Sequence, residues 1–161
     1  MNQPSFPLIL VSIEDNSFEI SRSINDYSKI KAQALIDGSF FEGTYFFDGD
    51  GFKWTYRMTS ERFKNTFINR LLANSFYNPS LDAKVIWTKQ GSYELNEVKE
   101  LICLCVDKDD DIYTQFVEAD FLKDAVNVSV TFNEVVKTLD KYVFEVNENT
   151  IWQEQADKGL N

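Results

Sequence analysis

Apolar positions fall into two rhythms along this chain. Up to about residue 90 they recur mainly at every second place, and after Gly91 at every third and fourth. The first rhythm marks strands with one buried face, the second amphipathic helices. The run Pro-Leu-Ile-Leu-Val-Ser-Ile-Glu predicts a strand at about 7–14, and Asp15-Asn16 a turn into a short strand through Phe18 and Ile20. A two-residue loop there would set Ile13 beside Phe18 and Val11 beside Ile20. Residues 23–36 are ambiguous, since Ile24, Tyr27, Ile30 and Ala34 fit a helix weakly and a strand no better.

The stretch YFFDGDGFKWTY, residues 45–56, predicts a hairpin with Gly49-Asp50 as its loop. In that register Phe47 faces Phe52, Tyr45 faces Trp54, Gly43 faces Tyr56 and Phe41 faces Met58. Thr44 and Glu42 would meet Thr55 and Arg57 on a polar face. Its Asp-Gly-Asp-Gly does not fit a calcium loop. Counted from Asp48, the fifth, sixth and twelfth positions are Phe52, Lys53 and Thr59, none of which is the acid, Gly or Glu required there.

Thr59 or Ser60 can cap a helix carrying Phe63, Phe67, Ile68, Leu71 and Leu72 to about Ala73. Lys84–Thr88 reads as a strand ended by Gln90-Gly91. Leu95, Val98, Leu101, Ile102 and Cys105 predict an amphipathic helix, interrupted by Asp107–Asp111. Phe121, Leu122 and Ala125 suggest a shorter one, and Thr131-Phe-Asn-Glu134 is a capping box ahead of Val135, Val136 and Leu139. Tyr142–Val146 (YVFEV) is composed like a closing strand, and the tail from Gln153 is expected to be loose. The sum is an α+β chain: an antiparallel, β-rich N-terminal half with one amphipathic helix, then a helical, acidic C-terminal half. At 161 residues it is expected to form a single domain, with a β-rich part at 1–90 and a mainly helical part at 91–161 sharing one core.

Charge changes the picture because it is lopsided. Residues 1–80 carry 9 acids and 8 bases, whereas residues 81–161 carry 17 acids and 8 bases. The acidic half would repel nucleic acid and anionic membranes, so neither is an expected partner. The chain contains no His, which removes Ser-His-Asp and Cys-His nucleophile systems and His-based zinc sites. Cys103 and Cys105, two apart in a helix, point in different directions and read as packed thiols. The apolar run at the start is too short for a signal peptide, so the cytoplasm is the expected compartment.

Candidate chemistry concentrates in VDKDDDIYTQFVE, residues 106–118. Asp107, Asp109, Asp111, the Tyr113 carbonyl, Gln115 and Glu118 fall at the ligand positions of an EF-hand loop. Ile112 then occupies the sixth position, where a sharp turn calls for Gly. The alternative is an acidic linker with Ile112 and Phe116 anchored in the core. The same segment offers a protein-binding surface formed by Asp107, Asp109, Asp110, Asp111, Glu118, Asp120 and Asp124, with Tyr113 and Phe116 near it. Carboxylates around an aromatic suit a basic groove: charge steers the encounter and a desolvated ring supplies affinity. Hydrolysis by a carboxylate pair has weaker footing. Asp37, Glu42 and Glu61 sit in the half where a sugar could stack on Trp54 or Tyr56, but no motif surrounds them.

Small size, acidity, no His and an α+β pattern are similar to bacterial immunity proteins that neutralise a cognate toxin, a likeness of type that carries over no site residue. The expected function is therefore a non-enzymatic acidic inhibitor or immunity-type protein that binds a basic toxin or nuclease, with no metal or cofactor. The alternative is a structural or adaptor domain of a larger assembly, and after it a degenerate EF-hand-like calcium module.

Overall fold

A computed structural model describes residues 3–37, 43–61, 78–110 and 112–145. The protein is α+β, with an antiparallel five-stranded sheet and four helices among the described residues. The strands are β1 (Leu8–Ser12), β2 (Ser17–Ser21), β3 (Lys29–Lys31), β4 (Thr44–Asp48), β5 (Phe52–Thr59), β6 (Ser80–Asp82) and β7 (Lys84–Ser92). The helices are α1 (Ala32–Asp37), α2 (Leu95–Asp107), α3 (Ala119–Val128) and α4 (Phe132–Leu139), with a 3-10 turn at Ile24–Tyr27 and a π-helical turn at Asp140–Phe144. No described helix is long and apolar enough to cross a membrane.

The chain divides into two compact units, though not at residue 90. Residues 1–10 and 19–92 form the first, and residues 11–18 and 93–161 the second. The β1–β2 hairpin is therefore shared, its base in the first unit and its tip in the second.

In the first unit the large sheet runs β2-β1-β4-β5-β7, and β3 pairs with β6 in a separate two-stranded sheet. Leu8, Tyr27, Phe46, Trp54 and Trp87 are its buried centre. Tyr27 meets Phe46, Tyr56 and Trp87 edge to face, with centroids 6.0, 5.2 and 5.5 Å away. That arrangement sets ring edges against ring faces, as their quadrupoles favour. The ambiguous segment 23–36 is resolved into three short pieces. Ser23 caps the 3-10 turn, in a reciprocal box with Asp26, before β3 and α1 follow.

The β4–β5 hairpin lies where the alternation places it, but one residue out of the expected register. Phe46 pairs with Trp54 and Phe47 with Lys53. The cause is the loop, which is Gly49-Asp50-Gly51 rather than Gly49-Asp50. The Asp48 carboxylate accepts from the Asp50 N–H at 3.1 Å and the Phe52 N–H at 2.9 Å, while Gly51 takes φ +83°. A three-residue loop needs its last residue in the left-handed region, which Gly reaches without strain. Shifting register by one turns every side chain of one strand to the other face relative to its partner. Phe46 thereby joins Trp54, and Phe47 is also fully buried because β4 is the central strand.

Two further strand boundaries differ. Ile13 lies in a four-residue turn and is 41% exposed, not paired beside Phe18. The Ser12 hydroxyl donates to Asp15 at 2.8 Å and Asn16 adopts φ 48°, which lengthens the turn. β7 continues past Gln90-Gly91 to Ser92, because a bulge takes up the irregularity, with Gln90 the extra residue of β7 between the partners of Lys53 and Trp54. The helix expected from 59/60 to 73, the pairs made by Phe41 and Glu42, and the tail from Gln153 lie outside the described residues. Thr59 itself ends β5.

In the second unit α2 buries Val98, Ile102, Cys105 and Val106, as the spacing requires. α3 buries Phe121, Leu122 and Val126. Lys99, itself buried, donates to the Asn127 carbonyl at 3.0 Å, satisfying one of the last carbonyls of α3. The Thr131 hydroxyl accepts from the Glu134 N–H at 3.2 Å, but the Glu134 carboxylate reaches back to Val130 rather than Thr131, at 2.7 Å. Where a strand was expected at Tyr142–Val146, residues 142–144 instead end the π turn that continues α4, and Val146 lies outside the described residues. Leu139 and Tyr142 stay on one apolar side, and Tyr142 meets Phe121 edge to face at 5.3 Å. Packing against α3 outweighs the β-propensity of that stretch.

Candidate functional site

The acidic segment runs from the end of α2 through a loop into α3. Asp107 is the last residue of α2, and Asp120 lies in the first turn of α3. Lys123 ties them together, its ammonium 2.6 Å from Asp107 and 2.9 Å from Asp120. These bonds hold Lys123 above the ordinary lysine pKa. A cation that would otherwise break the acidic surface is thus spent on closing the loop.

Asp109 organises the loop. One carboxylate oxygen accepts from the Ile112 N–H at 2.9 Å. The other accepts from the Tyr113 N–H at 2.8 Å and from both the N–H and the hydroxyl of Thr114 at 2.9 Å. Partial burial raises the Asp109 pKa, but these four donors outweigh it and leave it below the ordinary value. The side chain that sequence spacing offered to a cation therefore faces four donors.

Tyr113 is 8% exposed, in contrast with the surface aromatic expected there. Its ring stacks on Phe18 with centroids 4.0 Å apart. The Phe18 N–H donates to the Tyr113 hydroxyl, which donates in turn to the Phe18 carbonyl. Ile112 corrects the second expectation: it is 72% exposed and anchors nothing, whereas Val117 is buried at 3%. Turning the Ile112, Tyr113 and Thr114 N–H groups onto one carboxylate sends Tyr113 inward and Ile112 out. Phe116 is half-buried.

Asp107, Asp110, Glu118, Asp120 and Asp124 are exposed, Asp109 is half-buried, and Asp111 lies outside the described residues. Glu118 precedes α3 without capping it through its side chain. Ile112 is the surface residue that reading by type missed, because exposure of an isoleucine between an acid and a tyrosine has no local signal. Among the described residues no three carboxylates or thiols gather as a cation site, and Asn16 alone of the non-glycines has positive φ, so Ile112 does not make the turn of an EF-hand.

The other candidate residues are placed elsewhere. Trp54 is buried and its indole N–H donates to Asp48 at 2.7 Å, so it is core rather than a sugar platform. Cys103 is half-buried and Cys105 buried, and burial pushes both thiols up, away from the reactive thiolate. No family model, curated protein or solved structure matches the chain.

Proposed function

We propose that the protein is a non-enzymatic acidic binding protein, an inhibitor or immunity-type protein that docks on a basic partner such as a toxin or nuclease domain. The observation that carries this reading is the Asp109 carboxylate, which fixes the loop and leaves Ile112 exposed in a segment whose Asp110, Glu118 and Asp124 are exposed as well. A loop already ordered loses little freedom on binding, which leaves more of the contact energy as affinity. An exposed apolar side chain in an acidic segment suits a basic cleft, where charge raises the encounter rate and the desolvated centre slows dissociation. A nuclease keeps such a cleft for its phosphate substrate, which makes it a fitting class of target.

The test is affinity capture from source-cell lysate at low salt, eluted by a salt gradient. The comparison is between the wild-type chain and the D110K/E118K/D124K variant, changed only at exposed positions. A basic protein retained by the wild type, eluted at raised salt and lost by the variant supports the reading. Identical capture by both chains sinks it.

A further inference from the structure

A cavity that opens along a strand's edge is lined by consecutive residues, because neighbouring side chains leave by opposite faces and the edge borders both. The first unit has a cavity of about 430 Å³ lined in this way twice, by Glu19-Ile20-Ser21 of β2 and by Lys29-Ile30-Lys31 of β3. Leu10, Tyr56 and Met58 give it an apolar floor. The volume lies within the range of ordinary ligand sites.

Hydrogen bonding shows which way each edge points. β2 ends the large sheet, and Phe18 directs both its N–H and its carbonyl to Tyr113 rather than to β1. Alternation along an antiparallel strand turns the same two groups of Ile20 outward. On β3, the Ser28 carbonyl accepts from the Ala83 N–H at 2.9 Å, and the Ala32 N–H donates to the Pro79 carbonyl at 3.0 Å. Residues 28, 30 and 32 thus face β6, which leaves the Lys29 peptide groups and the Lys31 N–H pointing away from it. Among the described residues β1 is the one sheet neighbour of β2, and β6 that of β3.

We propose that this cavity is a docking site for an extended peptide segment of a partner protein. The segment adds as a strand along the edges of β2 and β3, with an apolar residue on the floor and an acidic residue on each side of it. Main-chain bonds to an open edge supply affinity, and alternate side chains supply specificity. Ile30 is buried, so its neighbours Lys29 and Lys31 leave by the other face and are exposed. Residues flanking the peptide's apolar position would leave by that same face, where carboxylates complement the two lysines. Glu19 and Asp26, which also line the cavity, set the limit: acids are favoured only beside β3. The cavity draws on no residue of the segment 107–124, and it takes a partner of opposite charge.

Backbone amide exchange on the full chain tests the proposal, with the blocked peptide Thr-Asp-Val-Asp-Thr as probe. In the free protein the Ile20, Lys29 and Lys31 amides are expected to exchange fast, unlike those of Phe18 and Ile30. Saturating peptide should slow all three by about tenfold or more. N-methylation of the peptide's Val should abolish that protection, and the surface variant K29E/K31E should prefer Thr-Lys-Val-Lys-Thr instead. Three results would overturn the proposal: slow exchange of these amides in the free protein, no slowing at millimolar peptide, or slowing that N-methylation leaves intact. Self-association that protects the same amides would assign the edges to a second copy, and would also overturn it.

Discussion

Tyr113 holds Phe18 by three contacts: the ring stack, a 2.9 Å bond from the Phe18 N–H, and a 3.1 Å bond to the Phe18 carbonyl. A side chain from 95 positions away thereby does for this edge residue what a neighbouring strand would do. Tyr113→Phe keeps the stack and strips both bonds, leaving two buried backbone groups without their partner. The expected loss is about 1–3 kcal/mol, read as a lower denaturant midpoint with unchanged slope. An unchanged midpoint would mean that water replaces the hydroxyl at no cost.

Asp48 is a buried carboxylate, 1% exposed, that accepts from two loop N–H groups and the Trp54 indole. Asp48→Ala orphans these donors, and a cost of about 3 kcal/mol or more is expected. Asp48→Asn should recover part of it, since one oxygen remains to accept. Tryptophan emission and thermal melts would check both variants.

Acid should loosen the Asp109 loop. Its pKa is depressed in the folded state, so its stabilisation is present above the ordinary value of 3.8 and lost as pH falls below it. Amides 112–114 should then gain exchange rate at acid pH before the rest of the unit. Asp109→Asn presents an NH₂ to donors, should cost about 1–3 kcal/mol, and should flatten the acid dependence.

Alkali should weaken the first unit. Burial raises Tyr27 from 10.0 to about 12, and raises Tyr56 in the same direction. A phenol with a raised folded pKa contributes stability that is complete below pH 10 and disappears as pH climbs towards about 12. Melting temperature should fall across that window, and less steeply in Tyr27→Phe. A flat profile would show that Tyr27 is open to solvent.

Ile112 and Val117 should separate surface from core. Ile112→Ser is expected to change stability by less than about 0.5 kcal/mol while weakening binding to a basic partner. Val117→Ala should cost roughly 1–3 kcal/mol and leave the contact surface as it was. The reverse pattern would contradict the inward and outward assignment of this loop.

Local signals were legible where a single element answers to its own spacing. The buried set of α2, the Thr131 cap and the position of the β4–β5 hairpin follow from apolar period, a hydroxyl three places before Glu134, and a glycine-rich bend. The register of that hairpin was not legible. It turns on Asp48 leaving its expected face to collect the Trp54 indole and two N–H groups, a choice made among three residues that alternation treats alike. The acidic segment was visible as composition, but its order was not. Nothing near Asp109 in the sequence says that its carboxylate serves the loop's own backbone.

The sequence by itself determined the α+β class of the protein, the placing of strands mostly before helices, and the charge of its C-terminal half, because these depend on residue type and short-range period. Tertiary structure alone decided that Tyr113 turns inward to Phe18, that Ile112 stays outside, that residues 142–144 coil, and that the tip of the first hairpin belongs with the helices. Those outcomes rest on hydrogen bonds and packing between residues far apart in the chain, where one orphaned buried group outweighs any local preference.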